Sequence, residues 1–160
     1  MIANVSALVT ELKARAETGK PVTIGLAGAG QMGTDIVVQL SLMPGLRLGA
    51  ISEVNTANAV DAALLAGLRR EQLVMAKSAS DIDRAIERGL LAITDDLSAL
   101  VAAGRVDVVI DATGNPNVGT RFALDAIHNG KHVVMLNVEA DIAIGRHLKE
   151  QAQSAGVVYT

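Results

Sequence analysis

The chain has 160 residues, 50% of them hydrophobic and 19% charged, with 14 Lys and Arg against 17 Asp and Glu for a formal net charge of −3. That length fits one domain with a sizeable buried core, and the absence of cysteine excludes disulfides, thiol nucleophiles and Cys-ligated metal centres. A mildly acidic chain (pI near 5.5) with one Phe, one Tyr and no Trp lacks the basic footprint of a nucleic-acid binder and the stacking platforms that hold single strands.

Ile2, Val5, Leu8, Val9, Leu12 and Ala16 recur at helical spacing, with Glu11, Lys13, Arg15 and Glu17 between them. This predicts an amphipathic helix over 2–18, with no signal peptide and no transmembrane span. Short apolar runs follow at Val22–Leu26, Leu46–Ile51, Leu91–Thr94, Val106–Ile110, His132–Leu136 and Val157–Tyr159. Most are continuous rather than alternating in polarity, as parallel strands covered on both faces are.

Helices lie between these runs. Asp95 is read as the cap of the helix that Gly104 ends, and Asn115 and Pro116 as an N-cap and first helical residue, with Gly130 closing that helix. Gly156 stops the last one. Asp81–Arg88 reads as a helix, whereas Leu73–Met75 fits either a short extra strand or a helix end. The alternation predicts an α/β fold: a doubly wound, mostly parallel six-stranded sheet with helices on both faces, in the order 3-2-1-4-5-6.

Gly28-Ala29-Gly30-Gln31-Met32-Gly33 is a G-x-G-x-x-G directly after the first strand and opening a helix. Gly28 permits the tight turn, Gly30 lets backbone approach a pyrophosphate, and Gly33 lets helix and strand pack closely. The helix N-terminus, at Gln31 and Met32, offers amides and a positive dipole end to the anion. Twenty positions after Gly33 stands Glu53, where a carboxylate accepts hydrogen bonds from the adenosine ribose hydroxyls and repels a 2′-phosphate. No Arg or Lys adjoins it, which favours NAD over NADP.

Three further strand ends would face the same cleft. Asp111-Ala112-Thr113-Gly114-Asn115-Pro116 has small residues that allow close approach to the nicotinamide-side ribose, with Thr113 and Asn115 as hydrogen-bonding groups. A plain strand-to-helix turn capped by Asn115 explains the run equally well. Thr94 is placed over the cofactor, and Asn137 and Glu139 beside the nicotinamide ring. Asp141 reads as a helix-dipole residue. His128, His132 and His147 form no metal site, and no proton-transfer residue stands out.

With these motifs in view, the chain resembles the NAD(P)-binding domain of homoserine-dehydrogenase-like oxidoreductases. The residues carrying the resemblance are the run 25–33, Thr94-Asp95-Asp96, Asp111-Ala112-Thr113-Gly114 and, most specifically, the run 130–141. More narrowly, it is similar to the SAF-domain-containing group that includes reductoisomerase-like enzymes able to make methylerythritol phosphate. The resemblance implies hydride transfer to or from a small carbonyl or alcohol, with the catalytic lysine and most substrate contacts on a following domain. Residues 1–160 are accordingly expected to be the dinucleotide-binding domain alone, with a substrate domain missing after 160 and little turnover in isolation. Homoserine dehydrogenases typically place a lysine after the Asn of the fifth strand. Here Val138 follows Asn137, which argues against homoserine as substrate.

Two other readings use the same residues. An NAD(H)-sensing regulatory module would need the glycine loop and Glu53 but no chemistry. A CoA-binding domain would set Glu53 against a 3′-phosphorylated adenosine, which is unfavourable. The remaining expectations are a cytoplasmic, homo-oligomeric protein that binds neither nucleic acid nor membrane.

Overall fold

The computed structural model describes residues 2–160, with side chains described from residue 7 onward. The opening helix α1 spans Ile2–Glu17. The side chains of Ile2 and Val5 lie outside the described residues, and those of Leu8 and Val9 are exposed. Where α1 passes the turn before the second strand, a Cβ on Gly45 would fall 2.0 Å from the Leu12 carbonyl.

Six parallel strands follow: β1 (Val22–Ala27), β2 (Leu46–Ser52), β3 (Leu73–Met75), β4 (Leu91–Thr94), β5 (Val108–Asp111) and β6 (His132–Met135), in the spatial order β3-β4-β2-β1-β5-β6. Between them lie helices α2 (Gln31–Ser41), α3 (Thr56–Leu65), α4 (Ala79–Glu87), α5 (Leu97–Ala102) and α6 (Pro116–His128), and α7 (Val138–Ala155) follows β6. This is the doubly wound sheet expected, with the order reversing between β1 and β5. Leu73–Met75 resolves as the edge strand, paired with β4. Val157–Tyr159 makes only a bridge to Val133, though the amides of Val133 and Met135 donate to the carbonyls of Val158 and Thr160 at 2.8 and 2.7 Å. The last segment therefore extends the order beyond β6, where the sixth strand was expected.

The sheet divides one core into two layers of different grain. Ile24, Leu26, Ile51, Leu91 and Ile93 pack with α2 and α3 on one face. Ala27, Ala50 and Ala92 point to the other, under α4 to α7. Small residues there bring the helices close: a Cβ on Gly25 would lie 2.8 Å from Leu100 Cδ1. Period-two alternation of large and small, rather than apolar and polar, is what covering both faces requires.

One local assignment is corrected. The cap of α5 is Asp96, whose Oδ1 accepts from the Ser98 amide at 2.8 Å, and not Asp95. Thr94 Oγ1 in turn accepts from the Asp96 amide at 3.1 Å, which turns the chain one residue later than expected. The helix also ends earlier, at Ala102 rather than at Gly104.

Candidate functional site

The carboxyl ends of β1, β2, β4 and β5 open onto a cavity of about 390 Å³ lined by Gly28, Gly30, Glu53, Asp95 and Thr113, among others. A larger cavity of about 510 Å³ lies near the start of β2, lined chiefly by Val37, Leu40, Leu42, Met43 and Leu90. Arg47 and Ser41 are the polar side chains in its otherwise aliphatic wall, whereas the smaller cavity gathers Glu53, Asn58, Asp95, Thr113 and Asn115, so the smaller cavity is where recognition chemistry collects.

Its floor is the loop after β1. Gly28 has φ +93°, and a Cβ there would stand 2.6 Å from the Ala112 carbonyl oxygen, so the loops after β1 and β5 touch through a hydrogen-sized gap. Gly33 packs on Gly28 just as tightly, with its imagined Cβ 2.1 Å from the Gly28 oxygen. Gly30 is the opposite case: nothing lies within 4 Å of where its Cβ would be. It is also the N-cap of α2, and no side chain caps that helix. Free amides and the positive end of the helix dipole thus face open space, an arrangement suited to a pyrophosphate.

Beside this loop, Glu53 leaves β2 with both carboxylate oxygens engaged by backbone. Oε2 accepts from the Ala29 amide at 2.7 Å and Oε1 from the Asn55 amide at 3.1 Å. The acid is thereby held against the glycine loop, at the lip of the cavity. Among the described residues lining the cavity there is no Lys or Arg.

Residues 28–160 match the family model described as the homoserine dehydrogenase NAD-binding domain. The chain belongs to this family. It is 30% identical over 118 residues to the homoserine dehydrogenase of Methylobacillus glycogenes, a match covering 74% of this chain and 25% of that protein. Solved structures with the same fold include biliverdin reductase from Synechocystis in complex with biliverdin and NADP+. That match has a TM-score of 0.65 at 21% identity and covers 87% of this chain and 37% of the other. For scyllo-inositol dehydrogenase from Lactobacillus casei with NAD(H) and scyllo-inositol, the TM-score is 0.64 at 19% identity, covering 88% and 36%. The homoserine dehydrogenase of Thiobacillus denitrificans gives 0.61 at 22%, covering 88% and 29%. The chain thus spans between a quarter and two fifths of these relatives.

Within this NAD-binding domain, Gly28, Gly30, Glu53 and Thr113 come together around one cavity. Gln31 and Met32 stand exposed on the first turn of α2, and Gly33 is buried beneath it. Gly114 is exposed in the loop before α6, with φ +66°. Asn115 lines the cavity and also caps α6, accepting from the Asn117 and Val118 amides. Two expected residues are turned inward. Thr94 is fully buried, and its hydroxyl is occupied by the Asp96 amide. Asn137 is 2% exposed, and its Oδ1 caps α7 through the Ala140 amide at 3.3 Å.

Asp111, in sequence only one member of the strand-end run, organises the turn after β5. Its Oδ1 accepts from both the amide and the hydroxyl of Thr113, at 2.9 and 2.7 Å. Its Oδ2 and the Asn137 Nδ2 are buried without partners among the described residues, and both close on Gly119, where a Cβ would fall 2.2 and 2.7 Å from them. Sequence offers one signal for this, a glycine four residues into a helix whose N-cap is already supplied. Asn58, in the first turn of α3, also lines the cavity and carried no signal at all.

Asp141 is more than a dipole residue, since it accepts from the Tyr159 hydroxyl at 2.7 Å. Among the described residues no group of three or more His, Asp or Glu is placed to hold a metal ion, and no helix is long and apolar enough to cross a membrane.

Proposed function

We propose that this NAD-binding domain serves a nicotinamide-dependent oxidoreductase, takes NAD in preference to NADP, and meets its small carbonyl or alcohol substrate on a further domain. The observation that carries the cofactor preference is the Glu53 carboxylate, held by the Ala29 amide at the edge of the glycine loop. A ribose diol there would compete for the same oxygens, whereas a 2′-phosphate would meet a negative charge with no lysine or arginine beside it.

The dinucleotide, when bound, supplies hydride chemistry at the nicotinamide ring. This chain's residues do the holding. Gly30 and the first turn of α2 take the pyrophosphate, Glu53 the adenosine ribose, and Thr113 the nicotinamide-side ribose. Asp111 presets the Thr113 hydroxyl, and Asn137 fixes the start of α7 behind it. The partial coverage of its relatives supports a second domain as the source of substrate contacts and of the proton-transfer group.

Calorimetric titration with NADH and NADPH at one ionic strength tests this reading. NADH is expected to bind at least about tenfold more tightly, and Glu53→Arg to reverse the order, each tenfold corresponding to ~1.4 kcal/mol. Tighter NADPH binding by the unaltered domain would overturn the preference, and binding of neither would overturn the cofactor role of this chain.

A further inference from the structure

The cavity continues past Glu53 into a slot between the ends of β2 and β4. These strands run in register to their last pair, Ser52 with Thr94, and the Glu53 amide donates to the Thr94 carbonyl at 2.9 Å. Val54, from the first end, and Leu97, from the second, both line the cavity. Asp95 lies between Thr94 and the cap residue and lines it too. Because Asp96 does the capping, Asp95 has no structural duty, and among the described residues no donor engages its carboxylate. Val54 is 91% exposed, an apolar side chain left with nothing over it.

Resting on the cofactor reading above, in which the purine follows its ribose into this slot, we infer that Asp95 reads the six-position of the base, selecting an amino group over a carbonyl. With the ribose at Glu53, the base attached to it has the slot between Val54 and Leu97 as its apolar berth. A carboxylate accepts hydrogen bonds and cannot donate them. It pairs with the exocyclic amine of adenine, whereas the six-carbonyl of hypoxanthine sets acceptor against acceptor. Asp95 is therefore a specificity-determining residue for the base, distinct from Glu53, which discriminates at the ribose.

The test is calorimetric titration of the whole chain with NADH and with reduced nicotinamide hypoxanthine dinucleotide. The readout is the ratio of the two affinities, because removing a negative charge near the pyrophosphate strengthens both ligands together. NADH is expected to bind about tenfold more tightly, the size of one hydrogen bond to a charged, solvent-accessible acceptor. Asp95→Ala should bring the ratio to about one, and so should Asp95→Asn, whose amide both donates and accepts. Asp96→Ala should lower the melting temperature by removing the α5 cap and leave the ratio unchanged. Equal binding of both dinucleotides by the unaltered chain, or a ratio that survives Asp95→Ala, overturns the assignment of Asp95 while leaving the cofactor reading intact. Binding of neither dinucleotide overturns both.

Discussion

At the amino ends of the strands, polar groups are spent on the fold itself. Asp107 Oδ2 accepts from the Thr23 amide at 2.8 Å, tying the start of β1 to the approach of β5. Asp83 reaches from α4 to accept from the amides of Gly104 and Arg105, and the Arg105 guanidinium pairs with Glu87. Lys131, 7% exposed, buries its ammonium and donates to the carbonyls of Ala103 and Val106 at 2.7 and 2.8 Å. At the carboxyl ends the side chains mostly bond the backbone of their own turns, and several polar groups are left open. Among the described residues the α2 N-terminus has no side-chain cap, nothing lies over Gly30, and Asp111 Oδ2 and Asn137 Nδ2 have no partners. Buried polar groups are normally satisfied because leaving one unpaired costs about 1–3 kcal/mol. One edge thus ties the domain together, and the other leaves an uncapped helix end open beside the cavity.

If the two edges divide labour in this way, substitutions at one should not register at the other. The largest effect is expected at the carboxyl edge. Gly30→Val, with nothing within 4 Å to strike, should leave the melting temperature within about 2 °C and cut NADH affinity at least tenfold. Gly33→Val, driven into the Gly28 carbonyl, should lose both. Unchanged NADH binding by Gly30→Val would show that the open space is not the cofactor's.

At the amino edge the expected loss is smaller and purely one of stability. Lys131→Met should lower unfolding free energy by about 1–3 kcal/mol in a urea titration without altering NADH affinity. Burial holds the Lys131 ammonium below its ordinary value, against the opposing pull of Asp107 and Asp83. The native state therefore sheds this proton at lower pH than the unfolded chain does. Stability should rise as pH climbs from the depressed value toward 10.5, and Lys131→Met should flatten that rise.

The smallest effect concerns Tyr159, the only tyrosine. Burial foremost, and then its hydrogen bond to Asp141, push the phenol well above its ordinary 10.0. The fold favours the neutral phenol, so this contribution is complete below pH 10 and is lost as pH rises toward the elevated value. Phenolate absorbance should be absent from the native domain at pH 10.5, and Asp141→Asn should bring its onset to lower pH while burial still keeps it above the ordinary value. A native titration centred at 10 would remove Tyr159 from the pairing.

The G-x-G-x-x-G run was legible because its constraints are local: Gly28 and Gly33 meet each other within six residues, and the strand before them is a continuous apolar run. Glu53 was legible for a related reason, lying just past the second strand at a fixed chain distance. Asp95 and Asp96 were not separable, since either can cap a helix and only the Thr94 hydroxyl decides which one does. Thr94 and Asn137 were placed on the cleft because strand ends point that way, yet both side chains satisfy the backbone of their own turns first.

By itself the sequence determined the parallel, doubly wound sheet, because apolar runs and helix signals act over a few residues at a time. It likewise determined where the anion-binding turn falls. Which polar atoms are spent and which are kept was decided only in three dimensions. Asp111 and Asn137, at the ends of different strands, converge on Gly119 of the helix between them, and Asp95 stands free only once β4 docks on β2. Where a partner is distant in the chain, as the Ala29 amide is from Glu53, no pattern of neighbours along it can assign the hydrogen bond.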